Sequence, residues 1–345
     1  MLEYLPWSKA VLEESLEEYR KGRFSVLDIE LGGACNFSCI YCDSPDRQRE
    51  CSVSVETIER FLESRQFKWI HICGIGEPTV GRNYELLIDI LGLCEKYGVK
   101  CNMFSNIINL TSALVEYVKK EILYILFKID TLSNTHAANL YGINTELAQK
   151  QIENIKKLVH LVQVRDNCTN LAASIVPTNI NWSDDILGLV KSMFEGGIFP
   201  MIGDLENSGR GREYFEVLHV NTQKLNRLKK DISDVVGADY AVPQCPAVIS
   251  AIHISADNEI IVDEFTGLSC NWFWLEEPKL KTLVTLDKET TLEEVTSKLM
   301  DYRKSRLQAV QCWLSQHSDK NTVFGGCGGD IFSLLNAYLT VQEGA

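Results

Sequence analysis

Short apolar runs alternate along much of the chain with stretches whose apolar residues recur three and four positions apart. The runs are Phe24–Leu31, Lys68–Gly74, Val99–Phe104, Ile122–Asp130, Leu171–Pro177 and Ile198–Gly203. They are brief and bounded by turn residues, so they predict strands. Between them Val55, Ile58 and Leu62 repeat at helical spacing, as do Leu86, Leu87, Ile90, Leu91 and Cys94, with Gly98 as a stop. Further helical stretches lie near 111–120, 145–161 and 183–194. Strands alternating with helices predict right-handed βαβ units and a parallel sheet. About six such units fit before residue 210, short of a closed eightfold barrel. The fold class read from this pattern is α/β, a partial (β/α)6 TIM-like barrel with about six strands.

Beyond residue 207 the pattern changes. Ser208-Gly209-Arg210-Gly211-Arg212 reads as a loop, and a polar helical stretch follows to residue 235. Ala251–Ser255 and Glu259–Asp263 read as the arms of a hairpin around Asp257-Asn258. Residues 291–310 read as a helix, and Gly325–Gly329 is too glycine-rich for regular structure. The expected division is an N-terminal helical extension (1–23), the barrel (24–207), a linker and helix (208–240) and a small C-terminal α+β domain (241–345).

Charge narrows the partners. The chain has 34 Lys+Arg against 47 Asp+Glu, a formal charge of -13. Such an excess repels a phosphate backbone, so no nucleic-acid partner is expected. Met1–Pro6 lacks the basic and apolar regions of a signal peptide, and no apolar run reaches the length of a membrane span. The expected location is cytoplasmic, with no membrane partner. Twelve cysteines in such a compartment read as metal ligands, catalytic groups or core thiols rather than disulfides.

Cys35, Cys39 and Cys42 have the spacing C-x3-C-x2-C directly after the first strand. Thiolates suit iron–sulfur clusters. Three thiolates on a [4Fe–4S] cluster leave one iron open to the amino and carboxylate groups of another molecule. A zinc loop borrowing a distant fourth ligand is the bland alternative. The loop, with Tyr41 in its aromatic slot, resembles the hallmark of the radical S-adenosylmethionine (SAM) superfamily. That resemblance implies that the cluster passes one electron to SAM, giving methionine and a 5′-deoxyadenosyl radical that takes a hydrogen atom from substrate. It also places Tyr41 against the SAM adenine.

Gly74-Ile75-Gly76-Glu77-Pro78 follows the second strand and resembles the family's Gly-Gly-Glu-Pro motif, with Ile75 replacing a glycine. The resemblance implies that Gly74, Gly76, Glu77 and Pro78 bind the SAM methionine, Glu77 through the ammonium. Ser105-Asn106 ends the third strand, where family members carry a Thr-Asn pair near SAM. Asn181 follows the fifth strand and is assigned to the same cofactor site. Lys128 and Asp130 share a face at the end of the fourth strand and are candidate catalytic groups, as is Cys73, a possible hydrogen donor beside the SAM motif. His71 shares that face and reads as a core histidine or a proton carrier. Asp204 and Glu206 follow the sixth strand.

Cys245, Cys270, Cys312 and Cys327 form a second constellation around the hairpin and the 291–310 helix. Their order resembles the twitch extension, the short form of the SPASM domain, and implies an auxiliary [4Fe–4S] cluster. Four scattered core thiols are the alternative. The leading expectation is a radical SAM enzyme performing oxidation, crosslinking or epimerisation of a small carbohydrate-like molecule or a peptide. The 23 residues before the first strand are too few for a leader-peptide-binding domain, which tilts the expectation toward a small substrate or a separately delivered peptide. A flavodoxin- or ferredoxin-type donor would supply electrons. A sulfur-inserting enzyme and an electron-transfer module without SAM chemistry are the other readings, and an ammonium-binding motif has no use in the latter.

Overall fold

The computed structural model describes residues 9–42, 50, 52–72, 74–163, 170–203, 205, 207, 209–236, 247–269, 280–316, 335, 336 and 338–340. Its elements run in the order α1 (Lys9–Arg20), β1 (Val26–Ile29), α2 (Val55–Glu63), β2 (Trp69–Ile72), α3 (Arg82–Tyr97), β3 (Lys100–Ser105), α4 (Ser112–Lys119), β4 (Leu123–Lys128), α5 (Asn134–Tyr141), α6 (Thr145–Gln163), β5 (Leu171–Ile175), α7 (Ile186–Glu195) and β6 (Phe199–Ile202). There follow α8 (Gly209–Leu218), α9 (Thr222–Val236), α10 (Ala247–Ser250), β7 (Ala251–Ile254), β8 (Glu259–Asp263), β9 (Leu280–Thr285) and α11 (Leu292–Gln316). All six expected strands form, with ends within two residues of those expected.

The strands make one sheet in the order β6-β5-β4-β3-β2-β1-β7-β8-β9. β1 to β6 are parallel, and the expected hairpin adds to the same sheet through β7, which pairs with β1 in parallel. Alternate side chains sort into two layers. Leu27, Ile29, Ile70, Ile72, Cys101, Met103, Ile125 and Phe127 face outward and pack against α2, α3, α4 and α6. Val26, Trp69, Tyr124, Leu126, Ala172, Phe199 and Ala251 meet one another on the opposite side, with no helix among them. This cluster runs from β7 to β6 along the inner side of the partial barrel.

Several segments depart from expectation, α10 and β9 among them. The 208–212 stretch was read as a loop, and Gly209–Arg212 instead open α8. A helix start has backbone N–H groups without partners inside the helix. Here the Arg210 N–H finds the Cys42 carbonyl at 2.9 Å, so a tertiary contact overrides the glycines. α5 was not foreseen, because Ala137, Ala138, Leu140 and Tyr141 bury themselves without a long period. Among the described residues no helix is long and apolar enough to cross a membrane.

Candidate active site

The residues singled out in the sequence converge on the C-terminal ends of the parallel strands. The loop after β1 and the motif after β2 are joined directly. The Glu77 N–H donates to the Ala34 carbonyl at 2.9 Å, one residue before Cys35. Asn83 accepts from the Gly32 N–H and donates to the Gly32 carbonyl, both at 2.8 Å, and donates to the Glu77 carbonyl at 3.1 Å. Gly76 has φ +71°, and a Cβ there would lie 2.1 Å from the Gly32 oxygen. Only glycine permits this approach. Ile75 is buried, and its substitution for a glycine leaves the turn intact.

Glu77 is buried and knots three strand ends together. Its Oε1 accepts from the Thr79 N–H (3.1 Å), Thr79 Oγ1 (2.7 Å) and Ser105 Oγ (2.6 Å), and its Oε2 accepts from the Asn106 N–H (2.8 Å). Burial pushes its pKa up, against those donors. Asn106 Nδ2 then donates to Asn36 Oδ1 at 2.6 Å, which ties the third strand end to the cysteine loop.

Cys35 is exposed, while Cys39 and Cys42 are half-buried; none is in a disulfide. Burial raises the Cys35 thiol and pushes Cys39 up to about 12, against the pull of the Lys128 ammonium. Cys39 feels the charges of Cys35 and Cys42, and Cys35 that of Cys42, so the three sulfurs are close neighbours. Among the described residues no group of His, Cys, Asp or Glu converges as the ligands of one metal ion do. Three cysteine sulfurs in one loop are a soft donor set of the kind that holds an iron–sulfur cluster with one iron open.

Tyr41 lies within the triad, and its hydroxyl donates to Asp130 Oδ2. Burial first, and then the Asp130 charge, raise its pKa well above the usual phenol value. Lys128 Nζ sits 4.6 Å from the Tyr41 ring centre and 3.4 Å from Asp130 Oδ2. Asp130 is fully buried; its Oδ1 accepts from the Val176 N–H at 2.7 Å, and its own N–H donates to Tyr141 Oη at 2.8 Å. Asn181 donates from Nδ2 to the carbonyls of Asp130 (2.7 Å) and Val176 (3.1 Å), while its Oδ1 accepts from Thr178. Both of its amide hydrogens are thus engaged in bracing β4 to β5.

Cys73, Asp204, Glu206, Cys245, Cys270 and Cys327 lie outside the described residues. Cys312 is exposed on α11.

Of the inner wall beneath these loops, sequence reasoning singled out only His71. His253, Asp28, His71 and Asn102 stand in register on β7, β1, β2 and β3. All four are buried. His253 Nδ1 meets Asp28 Oδ2 at 2.5 Å, and its Nε2 lies 3.5 Å from Glu30 Oε1. Burial alone would lower the His253 pKa, but Asp28 and Glu30 hold it at about 10. Burial drops His71 to about 4. Among the described residues His71 Nε2 and Asn102 Oδ1 have no hydrogen-bond partner. Glu30 presses on Gly74, where a Cβ would come 2.7 Å from its Cγ. The available signal was period-two spacing of Asp28 and Glu30, but their partner arrives from residue 253.

A parallel barrel wall with a three-cysteine loop and a glycine-rich motif at its strand ends defines a cluster-dependent class of enzyme fold. Residues 29–172 match the radical SAM superfamily model. That match places a radical SAM domain over these residues. Its fold is similar to Streptococcus suis SuiB bound to S-adenosylmethionine (17% identity, TM-score 0.57, covering 78% of this chain and 66% of that one). It is also similar to SuiB bound to precursor peptide SuiA (17%, 0.54, 75% and 63%). A third similar structure is native anSMEcpe with bound AdoMet and Cp18Cys peptide (13%, 0.54, 92% and 95%). The chain thus spans just under two thirds of SuiB's length. No curated relative matches the chain in sequence.

Proposed function

We propose that the protein is a radical SAM enzyme that takes a hydrogen atom from a peptide or small polar substrate held in its barrel. Cys35, Cys39 and Cys42 would hold the [4Fe–4S] cluster, whose chemistry is one-electron cleavage of SAM. The observation that carries the reading is the 2.9 Å bond from the Glu77 N–H to the Ala34 carbonyl, which seats the cofactor motif against the cysteine loop. Gly74, Gly76 and Pro78 bound the cofactor's place from β2, and Ser105 and Asn106 from β3. Tyr41 and Lys128 stand on the β4 side, with Asp130 and Asn181 setting their positions.

The inner wall supports a polar substrate. Buried His71 Nε2 and Asn102 Oδ1 lack partners among the described residues, and a substrate amide or hydroxyl can satisfy both a donor and an acceptor there. Structures of this fold hold peptides, which favours a peptide over a carbohydrate. Cys245, Cys270, Cys312 and Cys327 supply an auxiliary cluster in this reading, used for oxidation, crosslinking or epimerisation, and a flavodoxin- or ferredoxin-type protein supplies the electron. The test is anaerobic reconstitution with iron and sulfide, then reduction with SAM present. 5′-Deoxyadenosine should form, and Cys39→Ala should abolish it. Equal yield from that variant rejects the assignment.

A further inference from the structure

The glycine–arginine segment after β6 has no part in the function so far, yet it reaches the cysteine loop. Arg210 opens α8. Its backbone N–H donates to the Cys42 carbonyl at 2.9 Å. Its Nη1 donates to the Cys39 carbonyl at 3.0 Å and to Ser38 Oγ at 2.8 Å. One residue therefore holds the main chain of two of the three cysteines, from 171 positions away in the case of Cys39.

The loop is gripped from the other side by the end of α5. The Ser38 N–H donates to the Tyr141 carbonyl at 2.9 Å and the Ile40 N–H to the Leu140 carbonyl at 3.0 Å. Phe37 stacks on Tyr141 with ring centres 5.3 Å apart. Gly142, at φ +60°, has no room for a Cβ, which would sit 2.3 Å from the Ser38 oxygen. The α5 contacts fix the middle of the loop through its N–H groups. Arg210 fixes the carbonyls, and it alone among these contacts brings a charge.

We propose that Arg210 is a positioning residue for the cluster. It holds Cys39 and Cys42 at their ligating separation, and its guanidinium lies against the main chain of a ligating cysteine. A fixed cation beside an anionic cluster favours the reduced state, and a braced loop resists release of iron. The inference rests on the cluster assignment to Cys35, Cys39 and Cys42.

The test uses the full chain, reconstituted anaerobically, with variants R210Q and R210K. Glutamine removes the charge and the forked donor but keeps the backbone bond to Cys42. Three readouts apply: the time for an iron chelator to bleach the cluster, the EPR spectrum of the reduced cluster with and without SAM, and the reduced-to-oxidised ratio at a fixed potential. R210Q should lose iron about tenfold faster, with about a tenfold lower reduced ratio, equivalent to about 59 mV for one electron. R210K keeps the charge and one donor, so it should restore the ratio while remaining more labile than the parent. A folded R210Q that matches the parent in all three readouts overturns the proposal. Should R210Q not fold, R210K with parental chelator lability overturns it, and faster bleaching supports it. A parent that takes up no iron, or a Cys35/Cys39/Cys42 triple-alanine variant that retains all of it, refutes the cluster reading instead.

Discussion

His253 on β7 and Asp28 on β1 meet at 2.5 Å, Nδ1 to Oδ2, inside the barrel wall. The strands are adjacent and parallel, and the two residues are register partners. The pair therefore joins the hairpin to the first strand of the barrel by charge as well as by the sheet. Glu30 faces the same imidazole, and His71 lies beyond Asp28 in the same row.

The pair makes stability depend on pH in a fixed direction. The His253 pKa rises from 6.5 to about 10 on folding. Its contribution is fully present below about 6.5 and declines as pH rises through 10. His71 has the opposite sense: its pKa falls from 6.5 to about 4, so stability declines as pH drops across that window. His253→Gln should destabilise the protein by about 3–5 kcal/mol near neutral pH, since it leaves Asp28 buried without its cation. His71→Asn should flatten the acid side of the profile. Thermal melting across the pH range checks both, and a parental alkaline slope in the His253 variant contradicts the pairing.

A second buried charge fastens the last long helix. Arg303 on α11 is fully buried. Its Nε donates to the Gly267 carbonyl at 2.9 Å, its Nη2 to Ser269 Oγ at 2.9 Å, and its Nη1 to the Ile249 carbonyl. Its guanidinium stands over the Tyr19 and Phe24 rings at 5.3 and 5.1 Å. Arg303→Met retains most of the volume but strands three acceptors, so a loss of about 3–5 kcal/mol is expected in denaturant unfolding. Arg303→Lys recovers part of it. A change below about 0.5 kcal/mol in the Met variant would mean that water replaces the guanidinium.

What was legible follows from how far each signal travels along the chain. The barrel strands are buried on both faces, so Leu123–Lys128 and its counterparts announce themselves as apolar runs. Cys35, Cys39 and Cys42 sit within one loop, and Gly76 and Glu77 within one turn, so their spacing is local. His253, Arg303 and Arg210 gain meaning only through partners at Asp28, Ile249 and Cys39, and no spacing rule links such distant positions. The helical start at Gly209 was hidden for the same reason. Its stabilising carbonyl belongs to Cys42. Asp130 was read as a catalytic candidate and Asn181 as a cofactor-site residue because they follow strand ends, and their polar atoms also engage Tyr41, Val176 and Thr178.

Glu77 yields a prediction that separates two roles. Its carboxylate has about four acceptor positions. Four donors from Thr79, Ser105 and Asn106 meet them. Glu77→Gln places an amide where one of those donors points, so the apo protein should lose about 1–3 kcal/mol. SAM affinity should fall with it, because the strand ends that bound the cofactor site loosen. Were Glu77 purely an ammonium ligand, the apo melting temperature would stay at the parental value. Melting of the apo variant and SAM titration of the reconstituted one decide between the two.

The C-terminal cysteines carry the last prediction. Cys312 is exposed on α11, and Gln316 Nε2 approaches its sulfur at 3.4 Å. α11 is anchored through Arg303 beside β7, the strand that borders β1 and its cysteine loop. In the proposed reading Cys312 is one ligand of an auxiliary cluster. Two clusters correspond to about eight irons per chain, and the Cys35/Cys39/Cys42 triple-alanine variant should keep about half. Cys312→Ala should continue to form 5′-deoxyadenosine, since the first cluster and its SAM site do not include that residue. Product formation should fall by about two orders of magnitude or more, because the substrate radical loses its electron outlet. If the cluster instead serves only to hold the fold, both activities and the melting temperature fall together. Iron content, 5′-deoxyadenosine yield, product yield and melting of the soluble variant distinguish these outcomes. Parental iron content and product rate in Cys312→Ala would remove that cysteine from the ligand set.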